Sequence, residues 1–492
     1  MPIMRLQDQL LHYIKSLNAN ERRYFKLYNK LNTAHKSYDL LFDELLAANS
    51  YDGEVLARKL KKSESQLSSE KEYLEKVLFR TMRVFHEGSS IRIELGNRIQ
   101  EIEMLYNKQL YPAAMRKIEK ALKVAIDNEL FEQAIIIIRW HHITFQFLGK
   151  QVISTKVIAI EKKIMEQLAN EMEYRHLFYR FSFMVNEVEH YPGAKAEEKC
   201  RPMLENPLLQ DENKALSIKA KISYFRMWGD YHTRVTYNAK QTTFYYQKIV
   251  KLLEKNPVIL HSQLRMYLYI LQGLVSSYSS TGLLKDAEAV VQKTERLLTD
   301  PKIKLTPALR QEIHEMLIFD KMALLAYGDK HKDLVNYVES FDYKKAIEPF
   351  MPSHNYIFRF WVARAYLMVG KPGKALEISM QLLDNHPDDA ISFMQANYHL
   401  YLLIQYDLGN YTIMDSVLKS YGRWCKKHKL TDVIYKDFAN MLRELVKAKG
   451  KEEMKAVSAK YIKLFEPVIS NSPNETLFSN LDIENWLKGK TK

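Results

Sequence analysis

Residues 361–387, WVARAYLMVGKPGKALEISMQLLDNHP, hold two helix-length amphipathic runs separated by G-K-P-G. That arrangement leaves the chain few options. Ala363 and Tyr366 share one face of a first helix, because side chains three or four apart are neighbours. Gly370 permits a turn. Pro372 cannot continue a preceding helix but fits the first turn of the next. Ala375 then offers a flat spot where the first helix can approach closely, and Ile378, Leu382 and Leu383 continue the apolar stripe. Pro387 is expected to end the second helix, with Asp388 and Asp389 suited to the positive N-terminus of a third. The stretch reads as an antiparallel helical hairpin.

The same grammar recurs. Residues 274–298 keep Tyr278, Gly282 and Ala287 at matching spacing. Residues 400–424 keep a Gly409-Asn410 turn but put Met414 in the alanine position. Residues 102–125 have Pro112 opening a helix and Ala114 at its start, and 242–257 end on Pro257. At 492 residues the chain exceeds the roughly 250–300 that one core supports. Only 15 glycines and 14 prolines occur. Sheets need turn residues every few positions, so this scarcity points to long helices with short connections.

The small residue at 363, the Tyr three later, the Ala nine after that and the Pro a further twelve on resemble a degenerate tetratricopeptide repeat of bacterial type. Ser379 departs from the pattern, standing where the family places a large apolar residue. The units are irregular, roughly 38–45 residues against the typical 34. The expected fold is all-α, an α-solenoid of stacked helical hairpins with a small helical N-terminal domain. The expected divisions are 1–90, 91–466, and a cap with a basic tail over 467–492. Periodicity predicts separate helices at 151–171 and 173–190. The resemblance implies a groove lined by first helices, including Gln272, Ser276, Ser279, Arg364, His399 and Tyr406. These groups suit an extended peptide, with Arg364 pairing an acidic side chain or a C-terminal carboxylate.

The N-terminal segment reads differently. Asn18 with Glu21 three later forms a capping-box pattern. Residues 55–74 resemble a helix-turn-helix, in which Ser63, Ser65 and Gln66 would meet base edges and Arg58, Lys61 and Lys62 would lie near phosphates. Against this, Lys61 occupies the turn where Gly is usual, Glu70 falls at a core position, and Glu64, Glu70 and Glu72 would face phosphate. The alternative is a helical domain of purely structural role.

Motifs for chemistry are missing. His141 and His142 are adjacent, so on a helix they point about 100° apart and cannot share a metal as residues four apart can. No HExxH, CxxC, P-loop, GxGxxG or GxSxG sequence is present. Two cysteines, Cys200 and Cys425, exclude a disulfide framework or a four-thiolate site. Aromatics in YYQKI (245–249) and FYRFSF (178–183) read as repeat core rather than a base-stacking platform. The net charge of +14 is spread out: residues 1–90 carry 15 Lys/Arg against 12 Asp/Glu. The N-terminus lacks the unbroken apolar core of a signal peptide, and no apolar run reaches a membrane span.

The leading expectation is a non-enzymatic cytoplasmic scaffold that grips a protein or peptide, with no cofactor, no metal and no membrane insertion. The alternatives are a transcriptional regulator with a DNA-contacting N-terminus and ligand-sensing repeats, or an RNA- or ribosome-associated protein.

Overall fold

The computed structural model describes residues 6–32, 37–88, 90–148, 155–188, 193–301, 303, 305–347, 352–384, 391–427, 435–471 and 481–490. Among these residues are twenty-five α-helices, two short 3₁₀ turns and no strand. None of the helices is long and apolar enough to cross a membrane. The chain divides into two compact units, 1–161 and 162–492.

The first unit opens with α1 (Leu6–Ser16), α2 (Ala19–Asn32), α3 (Ser37–Ala47), α4 (Gly53–Leu60) and α5 (Glu64–Phe85). Leu11, Ile14, Phe25, Phe42, Leu74 and Leu78 form their shared core. The Asn18 backbone N–H donates to Glu21, and the Asn18 side chain accepts from the Glu21 N–H, so the expected capping box is present. Next come α6 (Ile91–Asn107), α7 (Tyr111–Asp127) and α8 (Phe131–Gln146), packed in order. Ala114 and Ala121 on α7 and Ala134 on α8 are fully buried, as close helix approach requires. The division between the units falls inside α9 (Thr155–Val188). The two helices expected over 151–171 and 173–190 are this one helix, because nothing between Asn170 and Tyr174 breaks the backbone ladder.

The second unit continues with α10 (Gly193–Leu204), the 3₁₀ turns Pro207–Leu209 and Glu212–Lys214, and α11 (Ile218–Arg234). Then follow α12 (Ala239–Glu254), α13 (Pro257–Ser262), α14 (Leu264–Ser280), α15 (Leu284–Leu297), α16 (Pro307–Tyr327), α17 (His331–Glu339) and α18 (Tyr343–Ile347). The last are α19 (Pro352–Met368), α20 (Pro372–Asp384), α21 (Ile391–Asp407), α22 (Tyr411–Lys427), α23 (Tyr435–Lys447), α24 (Lys451–Asn471) and α25 (Ile483–Gly489). Pro257 opens α13 rather than closing α12, and α24 runs through the expected boundary at 467. Pro387, Asp388 and Asp389 lie outside the described residues.

Stacking follows a two-layer rule. First helices α14, α16, α19 and α21 pack on one another in succession, while α15, α17 and α20 each pack on the first helix before and the one after. This is the solenoid arrangement. Each hairpin turn closes in one way. Gly282, Gly370 and Gly409 all have φ of +74°, and the next residue's N–H returns to a carbonyl five residues back (Leu283 to Tyr278, Lys371 to Tyr366, Asn410 to Gln405). Inside the hairpin of the opening stretch, Ala363 and Ala375 are both fully buried. Ser379 is buried too: its hydroxyl donates to Asn397 Oδ1 at 2.9 Å, and Asn397 Nδ2 donates to the Ser379 carbonyl at 3.0 Å. A polar pair between α20 and α21 thus replaces the large apolar residue.

Candidate functional site

Two helix-interior glycines help to build one pocket. Gly229 on α11 and Gly273 on α14 lie against opposite edges of the Tyr246 ring, and a Cβ at either would overlap it. Tyr246, on α12, therefore sits between two backbones. Its hydroxyl donates to Asp230 Oδ1 at 2.6 Å, and Tyr269 donates to the same oxygen at 3.3 Å. Arg226 Nε stands 3.3 Å from the other Asp230 oxygen. The Arg226 guanidinium lies over the rings of Phe178 at 4.4 Å and Tyr269 at 4.6 Å. Burial pushes the Asp230 carboxyl up, with the Arg226 charge and the Tyr246 hydrogen bond opposing. Burial drives the Tyr246 phenol well above its ordinary range.

Above this node a pocket of about 320 Å³ is lined by side chains of α11, α12, α14 and α16, among them Thr233, Tyr246, Tyr269, Gln272, Ser276 and Tyr327. Several lining hydroxyls are already committed. Thr233 donates to the Gly229 carbonyl at 2.8 Å, and Ser277 donates to the Ala239 carbonyl at 2.7 Å. Gln272 and Ser276 are half-buried, and among the described residues no hydrogen bond engages either side chain. Of the six groove residues expected from sequence, these two are brought together at one opening.

The other four are turned inward. Ser279 is 2% exposed, Arg364 2%, His399 4% and Tyr406 8%. His399 lies against Phe438 at 4.6 Å and Tyr421 at 5.3 Å. The Arg364 guanidinium donates to the Ala326 carbonyl at the C-terminal end of α16, where a cation is favoured. Stepping around a helix from its packing residues misplaces these four, because each first helix is contacted on several sides by stacked neighbours.

The C-terminal segment covers part of the expected groove. Leu481, Ile483, Trp486 and Leu487 belong to the core formed by α16 to α24. Leu477 and Phe478, expected in the same cap, lie outside the described residues. Asp482 Oδ2 meets His331 Nε2 at 2.8 Å, and its charge faces Arg364. Burial raises the Asp482 carboxyl, but the His331 hydrogen bond and the Arg364 charge together outweigh it, so it lies below the usual range. Burial, and then the Asp482 charge, raise Asp329. Asp329, His331 and Asp482 offer ligand-type atoms within 4.8 Å of one another. Arg364 already supplies the positive charge those carboxylates face, which disfavours a metal ion there.

In the N-terminal segment, Lys61 takes the left-handed conformation with φ of 54° at the α4–α5 turn, the position where Gly is usual. Lys62 is ion-paired with Glu70, so that glutamate has a partner rather than an apolar role. Gln66 closes a capping box with Ser63, its side chain accepting from the Ser63 N–H at 3.0 Å. Ser65 and Arg58 face solvent. Of the six proposed nucleic-acid contacts, Ser63, Gln66 and Lys62 are thus engaged within the fold, and Arg58 also pairs with Glu54 on its own helix.

His141 is buried against Phe145, while His142 meets Glu161 at 3.0 Å. Burial lowers the His141 pKa. Phe181 and Tyr246 are core, but Tyr179 and Phe183 are 63% and 73% exposed, so the aromatic run on α9 is only partly packed. Sequence reasoning missed the Asp230–Tyr246 node. The readable signal was Gly229 and Gly273 standing mid-helix in a glycine-poor chain, which marks close approach. Compared with known proteins, the chain matches no family model, no curated protein and no solved structure.

Proposed function

We propose that the protein is a non-enzymatic scaffold whose tetratricopeptide-like array, in the cytoplasm, holds a partner protein through an extended peptide segment. The observation that carries this reading is the pair Gln272 and Ser276, half-buried in the lining of a 320 Å³ pocket, with no hydrogen bond among the described residues engaging either side chain. An amide and a hydroxyl at one opening, over aromatic walls, suit main-chain amides and a neutral side chain. Among the described residues no Asp, Glu, Lys or Arg lines the pocket, so a strongly charged ligand finds no counter-ion there.

The test is a peptide array probed with the full-length chain, followed by affinity measurement on the best binders. Ser276→Trp fills the opening and is expected to weaken binding at least about tenfold, or 1.4 kcal/mol, with helicity unchanged. Binding that is indifferent to this substitution sinks the reading. Arg364→Glu is no probe of the groove, because that side chain is buried.

A second reading, DNA contact through α4 and α5, draws support from the left-handed turn at Lys61 with Arg58 and Ser65 exposed beside it. It requires duplex binding that falls steeply with salt and weakens in Arg58→Ala. Salt-independent or absent binding removes it.

A further inference from the structure

We propose that the surface built by α17, α19, α21 and α24 is a docking site for a partner's helical segment bearing an acid, a Trp four residues on and a Lys four further on. The chain's own residues 481–490 hold that site in cis. The inference rests on reading the array as a peptide-holding surface, but it concerns a different place on it.

The charges on the host side set the chemistry. At one end stand Arg364 and His331, at the other Asp407. The segment answers in order. Asp482 meets His331 at 2.8 Å and faces Arg364. Trp486 lies at the centre, its ring 5.4 Å from that of Tyr406 and nearly perpendicular to it, and its Nε1 donates to Asp407 at 3.3 Å. Lys490 reaches Asp407 at 2.5 Å and covers the Trp486 ring at 4.8 Å. Asp482 precedes the helix in a left-handed conformation, Trp486 stands mid-helix and Lys490 follows its end, so the three contacts fall in order along the segment. An acid at the start and a base at the end also match the helix dipole.

A cap that served only to close the core would need no more than Ile483, Trp486 and Leu487 buried there. The polar contacts at both ends add direction and register. α25 has seven residues, too few to persist as a helix alone, so its order comes from docking. His331 and Asp482 are 151 positions apart, and attachment in cis raises the effective concentration of the segment. A segment in trans therefore sees only the fraction of sites left open.

The probe is a labelled synthetic peptide of residues 479–492, tested against full-length protein carrying Asp482→Asn with Trp486→Ala. The peptide is expected to bind this released chain at least about tenfold more tightly than the unaltered chain. A peptide with the same two changes is expected to bind neither. Equal or absent binding overturns the proposal. Hydrogen exchange on the unaltered chain keeps the test decisive should the released variant fold poorly. Amides of 484–489 are expected to exchange at least about a hundredfold faster than those of α19. Equal protection would make the segment an integral part of the core and overturn the proposal. Concentration-dependent dimers that the peptide dissolves would name a second copy as occupant and overturn the foreign partner. Adding Ser276→Trp to the released chain separates the two sites: peptide 479–492 is expected still to bind, whatever becomes of the pocket.

Discussion

The Tyr246 hydroxyl donates to Asp230 Oδ1 at 2.6 Å, and both residues are buried between α11, α12 and α14. A carboxyl that deep is tolerated because Tyr246, Tyr269 and Arg226 share it. Tyr246→Phe removes the shortest of those contacts and is expected to cost about 1–3 kcal/mol. Gly273→Ala forces a methyl into the Tyr246 ring and is expected to cost about 1–3 kcal/mol by overpacking. Urea unfolding of each variant checks both, and a neutral Gly273→Ala would contradict the packing.

Asp320 on α16 differs from Asp230. It is fully buried, and neither carboxyl oxygen has a hydrogen-bond partner among the described residues. Burial raises its pKa well above the ordinary value. The folded chain therefore holds a proton that the unfolded chain releases, so stability falls as pH rises from the ordinary Asp range of about 3.9 towards the raised folded value. Asp320→Asn is expected to flatten that slope and to be the more stable chain at neutral pH. Parallel unfolding curves for the two proteins across this range would refute it.

Non-glycine residues occupy several left-handed turns. Gln109 has φ of 61° and closes the α6–α7 turn as Gly370 closes α19–α20. Gln109→Gly is expected to stabilise the chain by about 1 kcal/mol, and Gly370→Ala to destabilise it by a similar amount. Opposite shifts in denaturation midpoint are the signature.

Ser379 and Asn397 satisfy each other in a buried contact. Asn397→Leu leaves the Ser379 hydroxyl without its acceptor and is expected to cost about 1–3 kcal/mol. The pair Ser379→Ala with Asn397→Leu is expected to cost less than the two singles together, because the residues are coupled. Additive losses in a double-mutant cycle would deny the coupling.

The helical hairpins were legible where glycine marks the turn, at Gly282, Gly370 and Gly409. They were faint where Gln109, Glu129 and Asp329 take the same conformation, since only the folded turn compels those residues into it. The long α9 reads as two helices in sequence, because its apolar residues follow no single continuous stripe. Pocket residues Gln272 and Ser276 were found through the repeat pattern, whereas Asp230, Tyr246 and Tyr269 were not, since residues from three helices meet there.

Local spacing alone determined that this chain is all helix, that its helices pair through short turns, and that no familiar catalytic or metal-binding motif is present. Tertiary structure decided which helix faces remain open. A helix carries side chains on every side, and stacking selects among them. It buried Arg364, His399 and Tyr406, left Gln272 and Ser276 at a pocket, and brought Asp482 to His331 from 151 residues away. No local pattern encodes that last contact, because it depends on where two distant segments end once the intervening hairpins have packed.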